Sequence, residues 1–429
     1  MKTRKILYTL KDYFLGILCR YQADYHADKK AYKKAIKNYT LAIKAKKDDA
    51  GLYIDRGCAY LDAGEPLKAL TDFNEAIALN PSDASLYSNR GDAYAEMGEY
   101  DRAFKDYNLA IKMDPKLAYA YSSRGLAYQE TGDLQSALKD INYSIKLDSS
   151  NPSAYINRAW TYFELAEMEK AEKDFETTLK LEPGSADARG GLGQIYQITD
   201  KPDQAIKQFS TIIELEPNSG FAYNNRGLLY QEKGEIKKAY QDFMKAGKLS
   251  PHESGVYNNL GLLFRKLEGQ TKTAIKAFTD ALRLQPNNVR YLSNRADAYL
   301  HAGKPRLALK DINNAIKLDP ERGLYHCGRG MANFALGNME ESLADFNKAI
   351  KLEPPSAELY CNRALVYTEM ENYTSALADY TTAIKLAPKC ASAYYNRGAI
   401  YQDMAKYALA KFDTAKALKL DPKIGEDLQ

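Results

Sequence analysis

The sequence predicts an all-α solenoid of stacked antiparallel helix pairs. Two observations carry that prediction. First, prolines that end apolar-periodic runs recur at Pro81, Pro115, Pro183, Pro217, Pro251, Pro286, Pro320, Pro354, Pro388 and Pro422, spaced by 34 residues, by 68 where Ser149 replaces one, and once by 35. Self-similarity at such a period is the mark of a repeat array, in which each unit buries its apolar face only against its neighbours. Second, each interval holds two helical patterns split by a breaker. In Ala84–Leu117 the first run carries Leu86, Tyr87, Tyr94 and Ala95, Gly98 interrupts it, and a second follows with Tyr100, Ala103, Phe104, Tyr107, Ala110 and Ile111 until Pro115. Glycine suits a helix C-terminus and proline cannot continue one. The runs are here called helix A and helix B. Gly91 and Ala103 are small enough for the two to approach closely, with Tyr87, Tyr94 and Tyr107 filling the space between.

Counting from the first residue of a unit, there is an aromatic at positions 4, 11 and 24, a small residue at 8, Ala at 20 and Pro at 32. This pattern resembles the tetratricopeptide repeat (TPR) family. The resemblance implies a right-handed superhelical solenoid of about twelve antiparallel helix pairs, starting at Gly16, Ala50, Ala84, Ala118, Pro152, Ala186, Gly220, Ser254, Val289, Gly323, Ala357 and Ala391. The first unit is degenerate. Arg189, Leu292 and His326 depart from the aromatic at position 4, which predicts looser packing there.

Taken in order, residues 1–15 precede the repeats. Lys2, Arg4 and Lys5 before Ile6, Leu7 and Leu10 look superficially like a signal peptide, but Lys11 and Asp12 interrupt the apolar run and no small-residue cleavage site follows. A basic lead helix covering the end of the solenoid is expected, with export or membrane contact as the other reading. Residues 1–47 hold thirteen Lys/Arg and three Asp/Glu, a net of +10; the whole chain is +4, so the rest carries −6. No case for nucleic acid arises from that balance. The solenoid then runs over 16–424. Lys266–Thr273 holds the extra residue and predicts a longer A–B loop. In the last unit Lys411 and Thr414 replace apolar and aromatic residues, so the final helix B either caps itself or is covered by a partner; residues 425–429 form a short tail. Cys19, Cys58, Cys327, Cys361 and Cys390 make no C-x-x-C pair and read as reduced thiols, which points to the cytoplasm. No apolar run is long enough for stable membrane insertion.

The repeats also serve as their own alignment. Arg at position 7 tracks Asp at position 23 in nine units, from Arg56 with Asp72 to Arg397 with Asp413, whereas Leu192 goes with Gln208 and Leu260 with Ala277. Such pairing predicts contact between helices A and B, a structural role. Position 6 carries Asn89, Asn157, Asn225, Asn259, Asn294, Asn362 and Asn396. It adjoins the stripe of positions 2, 5, 9 and 12 on helix A, which in TPR proteins lines the concave groove. The asparagines are similar to the ladder in the repeat half of O-GlcNAc transferase, which grips a peptide backbone; an amide both donates and accepts, so it can pair with any peptide unit. The alternative is an Asn bonded to a neighbouring helix. On the same face stand Ile156, Trp160 and Phe163, with Leu126, Phe221, Leu228 and Leu262, and a second cluster of Leu300, Leu324, Met331, Phe334 and Leu365. Exposed aromatic and aliphatic anchors make binding hot spots, unless the array itself buries them. Asp62, Glu96, Glu130, Glu164, Glu232, Glu369 and Asp403 at position 13, with Asp92 and Asp297 at position 9, favour a partner of basic character, or are ordinary solvated helix ends.

Position 5 is basic only at Arg20, so the carboxylate clamp of TPR co-chaperones is not expected. Four scattered histidines and no phosphate-binding glycine loop offer no catalytic constellation and no cofactor site; His326 with Cys327, Cys361 and Cys390 is the one grouping that could hold a metal. The expected function is a non-enzymatic scaffold that holds an extended segment of another protein in the groove. The second reading is an assembly factor that docks subunits through its ends or convex face, at a membrane surface in one version.

Overall fold

The computed structural model describes residues 19–24, 27 and 31–424. The lead segment 1–15 and the tail 425–429 lie outside them, and the first unit is described in part. Every regular element among the described residues is an α-helix. The pairs follow one another without a linker: Ala50–Asp62 with Pro66–Leu79, Ala84–Glu96 with Tyr100–Met113, and so on to Ala391–Asp403 with Tyr407–Leu420. The chain divides into two compact units, one ending at Leu215 and one starting at Glu216. Within each unit, helix A packs on its own helix B, helix B on the next helix A, and successive A helices touch directly.

Local chemistry explains the boundaries. Asp49, Asp83, Asn151, Ser185, Ser219 and Asn288 cap A helices by accepting backbone N–H bonds. The A–B turn puts position 15 in the left-handed region in the described repeats of regular length: Gly98 at φ 72°, Gly337 at 81°, and also the non-glycines Ala166, Asp200, Glu371 and Ala405 at 55–58°; in the repeat with the inserted residue Gly269, at position 16, takes that conformation at 73°. Left-handed backbone costs an L-residue about 1–2 kcal/mol. Glu371→Gly is therefore expected to raise stability by about 1 kcal/mol, seen as a higher urea midpoint; an unchanged or lower midpoint would contradict this. Around the inserted residue, the A–B connection is five residues between Arg265 and Thr271, against three between Glu96 and Tyr100.

The core of each unit before the last is the aromatic or Ile at position 24 set against a small position 8; in the last, Thr414 faces Gly398. A Cβ on Gly91 would lie 2.6 Å from the Tyr107 ring, and Tyr107, Phe175, Phe243, Phe278, Phe346 and Tyr380 are fully buried. Two of the three atypical fourth positions keep the polar contact that the usual tyrosine makes. Tyrosines there donate to the carbonyl six residues earlier, as Tyr87 does to Pro81. Arg189 Nη2 makes the same bond to Pro183 at 2.9 Å, and His326 Nε2 sits 3.0 Å from the Pro320 carbonyl. Leu292 and His326 are buried as deeply as the core.

Candidate functional site

The frame of the helix-A face is set by the arginines. In nine units the guanidinium grips its aspartate through Nε and Nη2 at 2.6–3.0 Å. The aspartates are buried. In eight of these units Nη1 also reaches back 16 residues to helix B of the preceding repeat, at Thr40, Asn74, Asn108, Asn142, Thr279, Asn313, Asn347 and Thr381. One side chain thus fixes both the pair and the step between pairs. Tyrosine rings flank it, as Tyr360 and Tyr367 flank Arg363 at 5.5 and 5.8 Å. Of the two repeats that carry leucine in place of this arginine, one follows the sequence reading, with Leu260 and Ala277 in one apolar cluster; in the other, Gln208 accepts from Arg189 at 3.3 Å, a partner the pairing of Gln208 with Leu192 did not name.

The asparagines do not form an uncommitted row. Each of four donates its Nδ2 to the position-5 side chain of the preceding A helix: Asn157 to Ser122 Oγ at 3.4 Å, Asn259 to Asn224 Oδ1 at 2.9 Å, Asn294 to Asn258 Oδ1 at 2.8 Å and Asn362 to Cys327 Sγ at 3.9 Å. Asn225 bonds its own helix at Phe221 O; Asn89 and Asn396 are half-buried. In those four the carboxamide oxygen and the second N–H remain for a ligand. Gly191 shows why one repeat has no Asn here: a Cβ would lie 2.3 Å from the buried Phe175 ring.

The apolar candidates divide between the two compact units. In the first, Trp160 is half-buried, edge-on to Phe163 at 5.4 Å and to the core ring Phe175 at 5.2 Å, with Ile156 one turn away. In the second, Phe221 is half exposed, while Leu228 and Leu262 lean on core clusters. Leu300, Leu324, Met331 and Phe334 come together. They line one cleft of about 540 Å³ across the A helices Ser254–Arg265, Val289–His301, Gly323–Phe334 and Ala357–Glu369. Leu365 does not line it. Leu324 is 56% exposed, an aliphatic side chain with no core duty. Asn294 and Asn362 border the cleft, and Asp297, paired to Arg265 and 3.7 Å from His301, joins Glu358 at its polar edge.

In the first unit Asp92 has no cation. It accepts from Tyr107 Oη at 2.9 Å and also from Tyr119 Oη. Burial pushes its carboxyl up to about 6, against the lowering by its hydroxyl donors. A folded-state pKa above the unfolded one means that protonation favours the folded state, so the penalty present at pH 7 is relieved as pH falls through about 6. Asp92→Asn is expected to raise the melting temperature at pH 7, by an amount that shrinks as pH falls below about 6 and vanishes only near the unfolded carboxyl's ordinary range, about pH 4; an equal effect at pH 7 and at about pH 4 would refute the assignment. Glu164 is bonded by Gln129 at 2.8 Å, so it is not a free helix-end charge.

Burial pushes the Cys361 thiol up to about 12 and the Cys327 thiol to about 11, away from thiolate chemistry. No group of ligands suited to a metal occurs among the described residues; His326, offered for one by sequence, is turned to Pro320 O. No described helix is long and apolar enough to cross a membrane.

Profiles of the tetratricopeptide repeat match residues 57–98, 91–132, 152–185, 186–219, 222–253, 258–305, 330–371, 357–390 and 391–424. No curated protein matches the chain. Among solved structures, a chain of the APC/C hetero-tetramer Cut9-Hcn1 is 16% identical, with a TM-score of 0.49 over 95% of this chain and 94% of that one. The human IFIT1 dimer with m7Gppp-AAAA is 16% identical, TM-score 0.48, over 87% and 90%.

Proposed function

The chain belongs to the tetratricopeptide-repeat family, whose members are generally non-catalytic protein-interaction scaffolds, and from that premise we propose that it holds an extended segment of a partner protein along its helix-A face. The observation that carries the reading is the cleft where exposed Leu324 meets Leu300, Met331 and Phe334 between Asn294 and Asn362. An apolar floor takes a large side chain, and the amide edges take the peptide units on either side of it. Asp297 and Glu358 at that edge, and Glu96 on the first unit's A face, support a partner segment with basic residues.

The test is affinity capture with the full chain, followed by photo-cross-linking from position 324 and from an outward helix-B position such as Lys310. Captured proteins should cross-link from 324 through an extended segment. Partners that cross-link from 310 alone would refute groove binding.

A further inference from the structure

We propose that the outward face of the last two B helices is a second docking surface, for an acidic amphipathic segment of a partner protein. It does not depend on the groove. At position 22, which faces outward on helix B, seven of the nine earlier repeats carry lysine, Lys37, Lys105, Lys139, Lys173, Lys207, Lys276 and Lys310, and the other two carry Thr71 and Gln241. The last three carry Ala344, Ala378 and Phe412. Phe412 is 67% exposed, and Leu409, one turn before it, is 49% exposed. A phenylalanine standing where seven repeats place lysine has no packing reason within its own helix pair, and exposed apolar patches of this kind mark interaction sites.

The charge around the patch fixes the kind of partner. Tyr373–Leu386 and Tyr407–Leu420 hold one carboxylate each, Asp379 and Asp413. Both are buried and gripped by Arg363 and Arg397. Lys385, Lys416 and Lys419 remain exposed, and none is ion-paired among the described residues. The outward surface is therefore apolar and cationic with no free anion. A second copy of this chain would set lysine against lysine across a twofold contact. A partner segment with a large apolar side chain flanked by Asp or Glu satisfies both features.

Fluorescence anisotropy with the full chain tests this. The probes are two labelled helical peptides with Leu at i, i+3, i+4 and i+7, one with Glu at the other positions and one with Lys. The Glu peptide should bind at least about tenfold more tightly than the Lys peptide. Phe412→Ala should weaken it about tenfold or more, and the double variant Lys416→Glu with Lys419→Glu should reverse the preference. All three side chains are exposed, so the melting temperature should stay put. Leu324→Ala should leave Glu-peptide binding unchanged, which keeps this surface separate from the groove. Equal binding of the two peptides, or indifference to Phe412→Ala, overturns the proposal. So does Phe412-dependent binding to phosphatidylserine vesicles, or Phe412-dependent dimerisation in sedimentation.

Discussion

Arg363→Leu is expected to cost about 3–5 kcal/mol of stability. The change strands Asp379, which is buried and accepts both of its strong bonds from this guanidinium at 2.7 Å. It also cuts the bond to Asn347 that ties the unit to the helix pair before it, so the loss should spread beyond one repeat. Adding Asp379→Ala removes the stranded charge and should recover part of the loss. Leu260 beside Ala277 shows that an apolar pair is tolerated at these positions in this chain. Chemical denaturation of the two single variants and the double variant gives the coupling. Additive effects would mean that the geometry seen across nine repeats contributes nothing energetically.

That contact was legible in the sequence because both partners vary together within one chain. The third member of the clamp was legible too, but only by looking at a different spacing. Position 25 is Thr or Asn at Thr40, Asn74, Asn108, Asn142, Thr279, Asn313, Asn347 and Thr381, and it is Glu176 or Met244 where the next repeat carries Leu192 or Leu260 in place of Arg. The helix pairs were readable because their packing is local: a small position 8 opposite a large position 24 recurs in every unit but the last, where Thr414 stands at position 24. The cleft was only partly readable. Its apolar residues share positions with other groove residues, and what sets Leu324 apart is exposure, which depends on how successive A helices stack. The asparagines mislead in a definite way. Periodicity places them beside the groove, but it cannot reveal that one N–H of Asn157, Asn259, Asn294 and Asn362 is spent on the preceding helix. At Arg189 the chemical type misled: a charged residue at an aromatic position keeps the same carbonyl bond.

Leu324→Ala should weaken binding of a groove-held partner by about 1–3 kcal/mol, roughly five- to 150-fold, while stability changes by less than about 0.5 kcal/mol. The side chain is 56% exposed, so truncation removes little core, and any large effect must come from the ligand it meets. Replacing Asn259, Asn294 and Asn362 together by Ala should behave differently. Each loses a hydrogen bond of about 0.5–1.5 kcal/mol to the preceding helix, so the melting temperature falls by several degrees. If the carboxamide oxygens also hold peptide units, binding weakens further, by about 1.5–4.5 kcal/mol for the three, with little change in sequence preference, because backbone contacts do not read side chains. Calorimetry well below the melting transition separates the two effects, since folded protein is then fully populated in both forms. A triple variant that melts lower yet binds with unchanged affinity assigns the asparagines to holding the A helices in step. Affinity lost in the triple variant, together with a cleft-specific loss at Leu324, assigns to one surface both the grip on the backbone and the choice of side chain.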